Sequence, residues 1–285
     1  MKIALASCQD LPDWEVDDQP LREELARRAS FEEHPWDAQV DWSRFDAVLI
    51  RTTWDYSERV QDFVRWAEHV GRASRLFNPV EVVRWNTDKR YLRQLEQRGV
   101  PMAPTLWIEP GQRFDVAEAM DERGWPKAFL KPVVGASARL TLPFTDPSVG
   151  QAFLEECLAR GEAMMLQPYL SRVEERGELS ALLFDGRLSH GVRKIPMPGD
   201  YRVQDDYGAS DFPEQLAPEQ VGLVERICAA LPFEELLYAR VDLLEGEAGE
   251  LLVTEVELVE PSLFLRHGPQ AAEMLTEALL RRVGT

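Results

Sequence analysis

The stretch YARVDLLEGEAGELLVTEVELVEPSLFL, Tyr238 to Leu265, constrains this chain more than any other. A short apolar arm, Tyr238 to Leu244, meets a turn at Glu245 to Glu250 that carries two glycines, and a second arm, Leu251 to Val259, alternates polar and apolar residues. The pattern predicts a β-hairpin. A strand has period two, so Glu255 and Glu257 point to one face, and Asp242 on the first arm can face the same side. Carboxylates converging on one face repel one another unless a cation neutralises them. Hard oxygen donors of this kind suit Mg²⁺, which usually takes only one or two protein carboxylates and completes its shell with water and phosphate. A Glu-x-Glu face is also what a solvated sheet face carries, so the weight falls on residues upstream.

Those residues read as alternating strands and helices. Residues 2–8 form a buried strand, 10–20 an acidic loop, and Pro20 to Arg28 a helix. Ala47 to Ile50 is a second buried strand ending in Arg51-Thr52-Thr53-Trp54-Asp55-Tyr56, and Glu58 to Val70 is a helix with Val60, Phe63, Val64 and Ala67 on one stripe. Strand–helix alternation implies a parallel sheet whose ligands bind beyond the carboxyl ends of the strands. Arg51 there can pair with an acidic substrate group through its planar fork or simply make a local ion pair. Arg51, Asp55 in the same segment, and Ser262 beyond the hairpin are the candidate substrate contacts.

Further on, Asn86-Thr87-Asp88-Lys89 is expected to open a helix through Arg98, with Thr87 or Asp88 as N-cap. Strands are expected at Thr105 to Glu109, Ala128 to Pro132 and Met164 to Gln167. Helices are expected at Val116 to Arg123, Val149 to Arg160, Pro218 to Leu231 and Pro269 to Arg282. Gly177 to Phe184 and Arg187 to Arg193 pair about the turn dipeptide Asp185-Gly186. Residues 196–216, rich in Pro, Gly and acids, read as one long loop, which in a compact domain is usually functional or disordered.

Formal net charge is −18, from 32 basic and 50 acidic side chains. Phosphate backbones and anionic membrane surfaces need a basic face, so nucleic acid and membrane are excluded as partners. Cys8, Cys157 and Cys228 are an odd, widely spaced set, which points to free thiols in a reducing cytoplasm. Leu5-Ala6-Ser7-Cys8 looks like a lipoprotein cleavage box but lacks the apolar run of roughly 7–15 residues that a signal peptide needs. No run approaches the ~20 apolar residues of a membrane span. His34, His69, His190 and His267 show no ligand spacing.

No phosphate-binding G-x-x-x-x-G-K-[ST] loop and no G-x-G-x-x-G follow a strand. Instead Lys89 and Lys131 each sit at an element boundary. Lys131 precedes Gly135-Ala136-Ser137-Ala138, small residues whose backbone N–H groups can approach phosphates closely. Gln167, Pro168, Tyr169 and Leu170 offer backbone donors and acceptors beside an apolar ring, as an adenine edge needs. Glu178 can take ribose hydroxyls, and Arg202 in the long loop can reach a phosphate.

In order and spacing these elements resemble the ATP-grasp superfamily, on the branch of glutathione synthetase, ribosomal-protein glutamate ligases and the cycloserine-forming ligase. The resemblance is carried by F-N-P at Phe77, W-N-T-D-K at Trp85 to Lys89, F-L-K-P-V-V-G-A-S-A at Phe129 to Ala138, Q-P-Y at Gln167, G-E-L-S at Gly177, K-I-P-M-P-G-D-Y-R-V-Q-D-D-Y-G-A from Lys194, and V-D with E-V-E at Val241 and Glu255. The first 75 residues match only as a generic α/β domain, with the R-T-T-W-D-Y segment from Arg51 to Tyr56 resembling the cycloserine-type members. The resemblance implies α/β and α+β architecture: an N-terminal Rossmann-like domain at 1–85, a central ATP-grasp lobe at 86–166 and a C-terminal lobe with the metal site at 167–285. It implies ATP and one or two Mg²⁺ (or Mn²⁺), with Lys89, Lys131 and Ser137 at the phosphates, Gln167 to Leu170 at adenine and Glu178 at the ribose. Asp242, Glu255 and Glu257 would hold the metal. Lys194 and Arg202 would face the transferred phosphate and the acid. Position 257 is Glu where many members have Asn, and the loop after Lys131 has one glycine where many have several.

The implied activity is ADP-forming carboxylate–amine ligation through an acyl phosphate, on small amino-acid-derived acids and amines, with ring closure as a variant and a homo-oligomer left open. A phosphotransferase on the same fold and a non-catalytic nucleotide module are the alternatives. The full set of Lys, Arg and carboxylates speaks against the last.

Overall fold

The computed structural model describes residues 1–11, 16–136 and 138–284; Ser137, a candidate phosphate contact, lies outside the described residues. Three sheets organise the chain. The first is parallel, with strands β1 (Lys2–Ser7), β2 (Ser30–Pro35), β3 (Ala47–Ile50) and β4 (Arg75–Phe77) in the order β2-β1-β3-β4. β3 is fully buried, as a parallel strand covered on both faces should be. Helices Gln19–Arg28 and Val60–Ala73 make its crossovers. On the second helix Phe63, Trp66, Ala67 and Val70 share the buried stripe and pack Trp36 and Trp42 against the sheet.

The second sheet is antiparallel: β5 (Leu106–Ile108), β6 (Ala128–Pro132), β7 (Leu142–Phe144) and β8 (Met164–Pro168), in the order β5-β8-β6-β7. Helices Val116–Arg123 and Pro147–Ala159 close its core. Asp115 and Asp146 cap them, each accepting a backbone N–H at 2.9 Å. The third sheet holds β9 (Glu178–Phe184), β10 (Arg187–Ile195), β11 (Ser210–Glu214), β12 (Tyr238–Glu245) and β13 (Leu251–Glu257), antiparallel in the order β11-β10-β9-β12-β13. Helix Ala271–Gly284 returns to the first domain, where Leu275 and Leu279 join Leu21 and Leu25 in one core.

Several expectations are corrected. Asn86 ends a helix, Val80–Asn86, and the next helix begins only at Tyr91. Thr87 donates back to the Val83 carbonyl at 2.9 Å, and Asp88 accepts from the Arg90 backbone at 2.9 Å, so the segment is a break and not a cap. The stretch 196–216 contains a 3₁₀ turn, Asp205–Tyr207, and the edge strand β11. The expected domain break at 85/86 falls inside helix Val80–Asn86, and that at 166/167 inside β8. Among the described residues no helix is long and apolar enough to cross a membrane, and the three cysteines are free.

Two asparagines explain the F-N-P and W-N-T-D-K segments. β13 is an edge strand, whose outward N–H and C=O groups need partners. Asn86 supplies both, donating to the Val256 carbonyl and accepting from the Leu258 N–H, each at 2.7 Å. Asn78, fully buried, donates to the Tyr238 and Leu258 carbonyls at 2.9 and 2.7 Å and accepts from the Leu237 N–H at 2.8 Å. The hairpin is thereby fixed to the preceding domain through side-chain amides.

Candidate active site

The hairpin fixes the site. Val241, Leu243, Val253 and Val256 fill the core, so the alternate positions Arg240, Asp242, Glu255 and Glu257 face the opposite side. Across the ladder Asp242 stands opposite Glu255 and Arg240 opposite Glu257, and the register then shifts, leaving Thr254 as the bulged residue. These four side chains line a cavity of about 200 Å³ with Lys89, Lys131, Glu178, Lys194 and Ser262. A second cavity of about 120 Å³ is walled by Ala103, Phe129, Gln167 to Leu170, Tyr201 and Leu244. Ala138, Glu178, Val203 and Gln204 line both, so the two adjoin.

The cations and carboxylates of the first cavity neutralise each other. Lys89 Nζ lies 2.6 Å from Glu255 and 2.8 Å from the Gly135 carbonyl. Lys194, buried, pairs with Glu178 and lies 3.4 Å from Asp242. Arg240 Nη2 lies 3.0 Å from Asp242 and pairs also with Glu257. Lys131 Nζ reaches the Thr254 carbonyl at 3.4 Å.

The electrostatics follow. Burial opposes charge on Asp242, but Arg240 and then Lys194 outweigh it and hold the carboxyl down to about 2. Burial, then the charges of Glu255 and Asp242, push Glu257 up to about 8 against the pull of Arg240. Burial and Asp242 raise Glu178. Burial, with the Lys89 charge, lowers Lys131. On Lys194 burial is outweighed by Asp242 and Glu178, and its value rises.

The expected metal set is therefore assembled on one face but not closed. Among the described residues no three His, Cys, Asp or Glu side chains are gathered closely enough to hold a metal by themselves, because each carboxylate is turned onto a lysine or arginine. The donor chemistry still fits a hard divalent cation: all three are carboxylates.

Other expected residues are placed differently. Arg51 does not reach the cavity. It is 1% exposed, holds Asp18 with Nη2 at 2.7 Å and donates to the Pro261 carbonyl at 3.1 Å. Asp55 accepts from Trp36 Nε1 and from Arg59, each at 2.7 Å, and also lies away from the cavity wall. Arg202 lines the second cavity, tied to Asp200 at 2.7 Å with its guanidinium 3.8 Å above the Tyr207 ring; the arginine facing the carboxylates is Arg240. Ser262 is in the wall, its carbonyl accepting from Arg240 at 3.1 Å. Arg240 and Glu260 were not anticipated. Arg240 is two residues from Asp242 on one strand, so period two could have found it; Glu260 lies past the strand, where no periodicity points.

Comparison with known proteins agrees with this arrangement. Residues 3–78 match the family described as the N-terminal domain of the D-cycloserine synthetase DcsG, and residues 112–264 match the ATP-grasp domain of prokaryotic glutathione synthetase. The cycloserine biosynthesis protein DcsG of Streptomyces lavendulae is 34% identical over 260 residues, covering 87% of this chain and 86% of that protein. A glutathione synthetase of Rhodopseudomonas palustris is 23% identical over 220 residues, 76% of this chain and 67% of its own. The crystal structure of D-cycloserine synthetase DcsG superposes with a TM-score of 0.90 at 30% identity, over 99% of this chain and all (100%) of that one. D-alanine–D-alanine ligase from Bacillus anthracis, complexed with ATP, shares the fold at a TM-score of 0.71 and 17% identity, over 100% of this chain and 99% of that one.

Proposed function

This chain belongs to the ATP-grasp ligases, and from that premise we propose that it joins a carboxylate to an amine on small amino-acid-derived substrates, forming ADP, through an acyl phosphate. The observation that carries the reading is the pairing of Asp242 with Glu255 in one cavity with Lys89, Lys194 and Arg240, beside an adjoining, more apolar cavity. The likeness to a cycloserine biosynthesis protein supports a substrate that carries both acid and amine, and hence ring closure.

The chemical need is plain. A carboxylate is a poor acyl donor because its leaving group would be oxide. Bound ATP with Mg²⁺ supplies the phosphoryl group that makes that oxygen a good leaving group. Asp242, Glu255 and Glu257 would hold the metal, and Lys89 and Lys131 the phosphates. Gln167 to Leu170 would meet adenine and Glu178 the ribose. Lys89, now on Glu255, would turn to the phosphates, leaving Glu255 to the metal. Such transfer is mostly positioning and charge neutralisation. Arg240 would stabilise negative charge developing on the acyl oxygen, which is worth about 3 kcal/mol for one donor. The segment 196–209, with Tyr201, Val203 and Gln204 in the cavity walls, keeps water from the activated acid.

The test is ADP release with Mg²⁺ and ATP against amino acids and small peptides, with and without hydroxylamine, which traps acyl phosphates as hydroxamates. A hydroxamate from one acid is the expected result. A stable phosphorylated product without hydroxamate would make the protein a phosphotransferase.

A further inference from the structure

The carboxylates of the first cavity are not equivalent. Glu178, Asp242, Glu255 and Glu257 each touch a lysine or arginine. Glu260 lines the same cavity and is 9% exposed, yet among the described residues no cationic side chain forms an ion pair with it. Its position is well fixed. The Trp54 indole N–H donates to its backbone carbonyl at 3.2 Å, the next carbonyl, of Pro261, accepts from Arg51 at 3.1 Å, and the buried Tyr56 side chain favours the charged form of its carboxylate. All three partners come from the loop after β3.

A buried charge without a cation is costly. Burial and then the Glu255 charge push Glu260 up to about 7 against the pull of Lys89. A guest cation would relieve this. Mg²⁺ already has three carboxylates to choose from, more than it usually takes. Asp205 and Asp206 also line the wall, but Asp205 lies 3.7 Å from Arg266 and Asp206 is exposed, and the lysines and arginines of the wall repel an ammonium. Trp54, in the wall as well, adds an aromatic surface that suits one.

We propose that Glu260, with Tyr56 favouring its charged form, is the subsite for the ammonium group of the substrate, and that it selects substrates with a free primary amine. This rests on the ligase reading above. The loop after β3 thereby acts on specificity through Tyr56 and Trp54, while Arg51 and Asp55 of the same segment are structural.

The test is calorimetric binding to wild type, Glu260→Gln and Tyr56→Phe, each saturated with ADP and Mg²⁺. The probes are D- and L-alanine and their N-acetyl derivatives. Wild type is expected to bind one free-amine enantiomer about thirtyfold or more tighter than its capped form. Glu260→Gln is expected to lose that preference, and Tyr56→Phe to weaken it. No preference in wild type, or a preference retained in both variants, overturns the proposal. So does a change in Mg²⁺ affinity in Glu260→Gln with the amine preference intact, which would make Glu260 a metal ligand. Should Glu260→Gln fail to fold, Tyr56→Phe alone decides. ADP–Mg²⁺ affinity is read on the same samples: its absence in wild type sinks the ligase reading, whereas its presence without amine preference sinks only the subsite.

Discussion

Arg240 Nε lies 3.1 Å from both carboxylate oxygens of Asp242, two residues further along the same strand. The fork of the guanidinium then bridges on to Glu257. One side chain thus organises two of the three expected metal ligands.

Removing it has a clear cost. Arg240→Ala leaves Asp242 buried beside an uncompensated neighbour and should destabilise the protein by about 3–5 kcal/mol in chemical denaturation. Arg240→Lys keeps the charge but loses the planar fork, and ADP formation should fall about 10²–10³-fold. Turnover within twofold of wild type in the Lys variant would remove Arg240 from the reaction.

Glu255 is partly exposed and its ion-pair partner is Lys89. Glu255→Ala should therefore abolish Mg²⁺-dependent ATP turnover while the melting temperature moves by no more than about 4 °C. Near-normal turnover in this variant would sink the metal assignment.

The pH dependence of the ligand-free protein has a definite sign at Glu257. Its carboxyl is raised on folding, so its contribution is full below the ordinary value of 4.5 and is lost as pH rises through about 8. Wild type measured against Glu257→Gln should lose relative stability between about pH 5 and about pH 8. Because a metal needs the carboxylate charged, Mg²⁺ binding should release protons and tighten over the same range. Denaturation series at several pH values check the first statement, and calorimetry in buffers of different ionisation enthalpy the second. A flat or rising stability difference contradicts the assignment.

Arg51→Met tests whether that arginine is structural. Asp18 would stay buried without its guanidinium partner, and stability should fall by about 3–5 kcal/mol, a drop in melting temperature of roughly 10 °C. The KM values for ATP and for the acid should stay within about twofold of wild type, since each 1.4 kcal/mol of lost contact would move them about tenfold. A raised KM for the acid at unchanged melting temperature would restore Arg51 to the substrate.

Much of this was legible from local pattern. The hairpin declared itself because Glu255 and Glu257 alternate with core valines. β3 was evident as a run of buried apolar residues. What escaped did so for physical reasons. β2, Ser-Phe-Glu-Glu-His-Pro, is an edge strand whose side chains stay partly exposed, so it lacks an apolar signature. β11 carries Pro213, which an edge strand tolerates and a central strand does not. Arg51 sits at the carboxyl end of a strand, where ligands bind, but Asp18 reaches it from 33 positions away in the chain, and no local pattern encodes that. Arg240 escaped because a basic residue does not fit a metal-ligand pattern, although period two places it on the face of Asp242. The family resemblance rested mainly on motifs between Phe77 and Leu265; the R-T-T-W-D-Y segment after β3 resembled the cycloserine-type members, but no local pattern tied its Trp54 and Tyr56 to Glu260.

The segment 196–209 leaves the third sheet after Ile195 and returns to it at Ser210, and these two residues are partners on one rung of the β10–β11 ladder. Its ends are therefore clamped together whatever its middle does. Its grip on the second sheet runs through Tyr201, whose hydroxyl meets Thr141 at 2.7 Å and whose ring lies 5.3 Å from Phe129. Asp205 adds a tie to Arg266 at 3.7 Å, and breaking these contacts swings the flap about a fixed root without unzipping any strand. Access to both cavities thus resembles a door on a single hinge, and its backbone amides should exchange with solvent far sooner than those of Ile195 and Ser210.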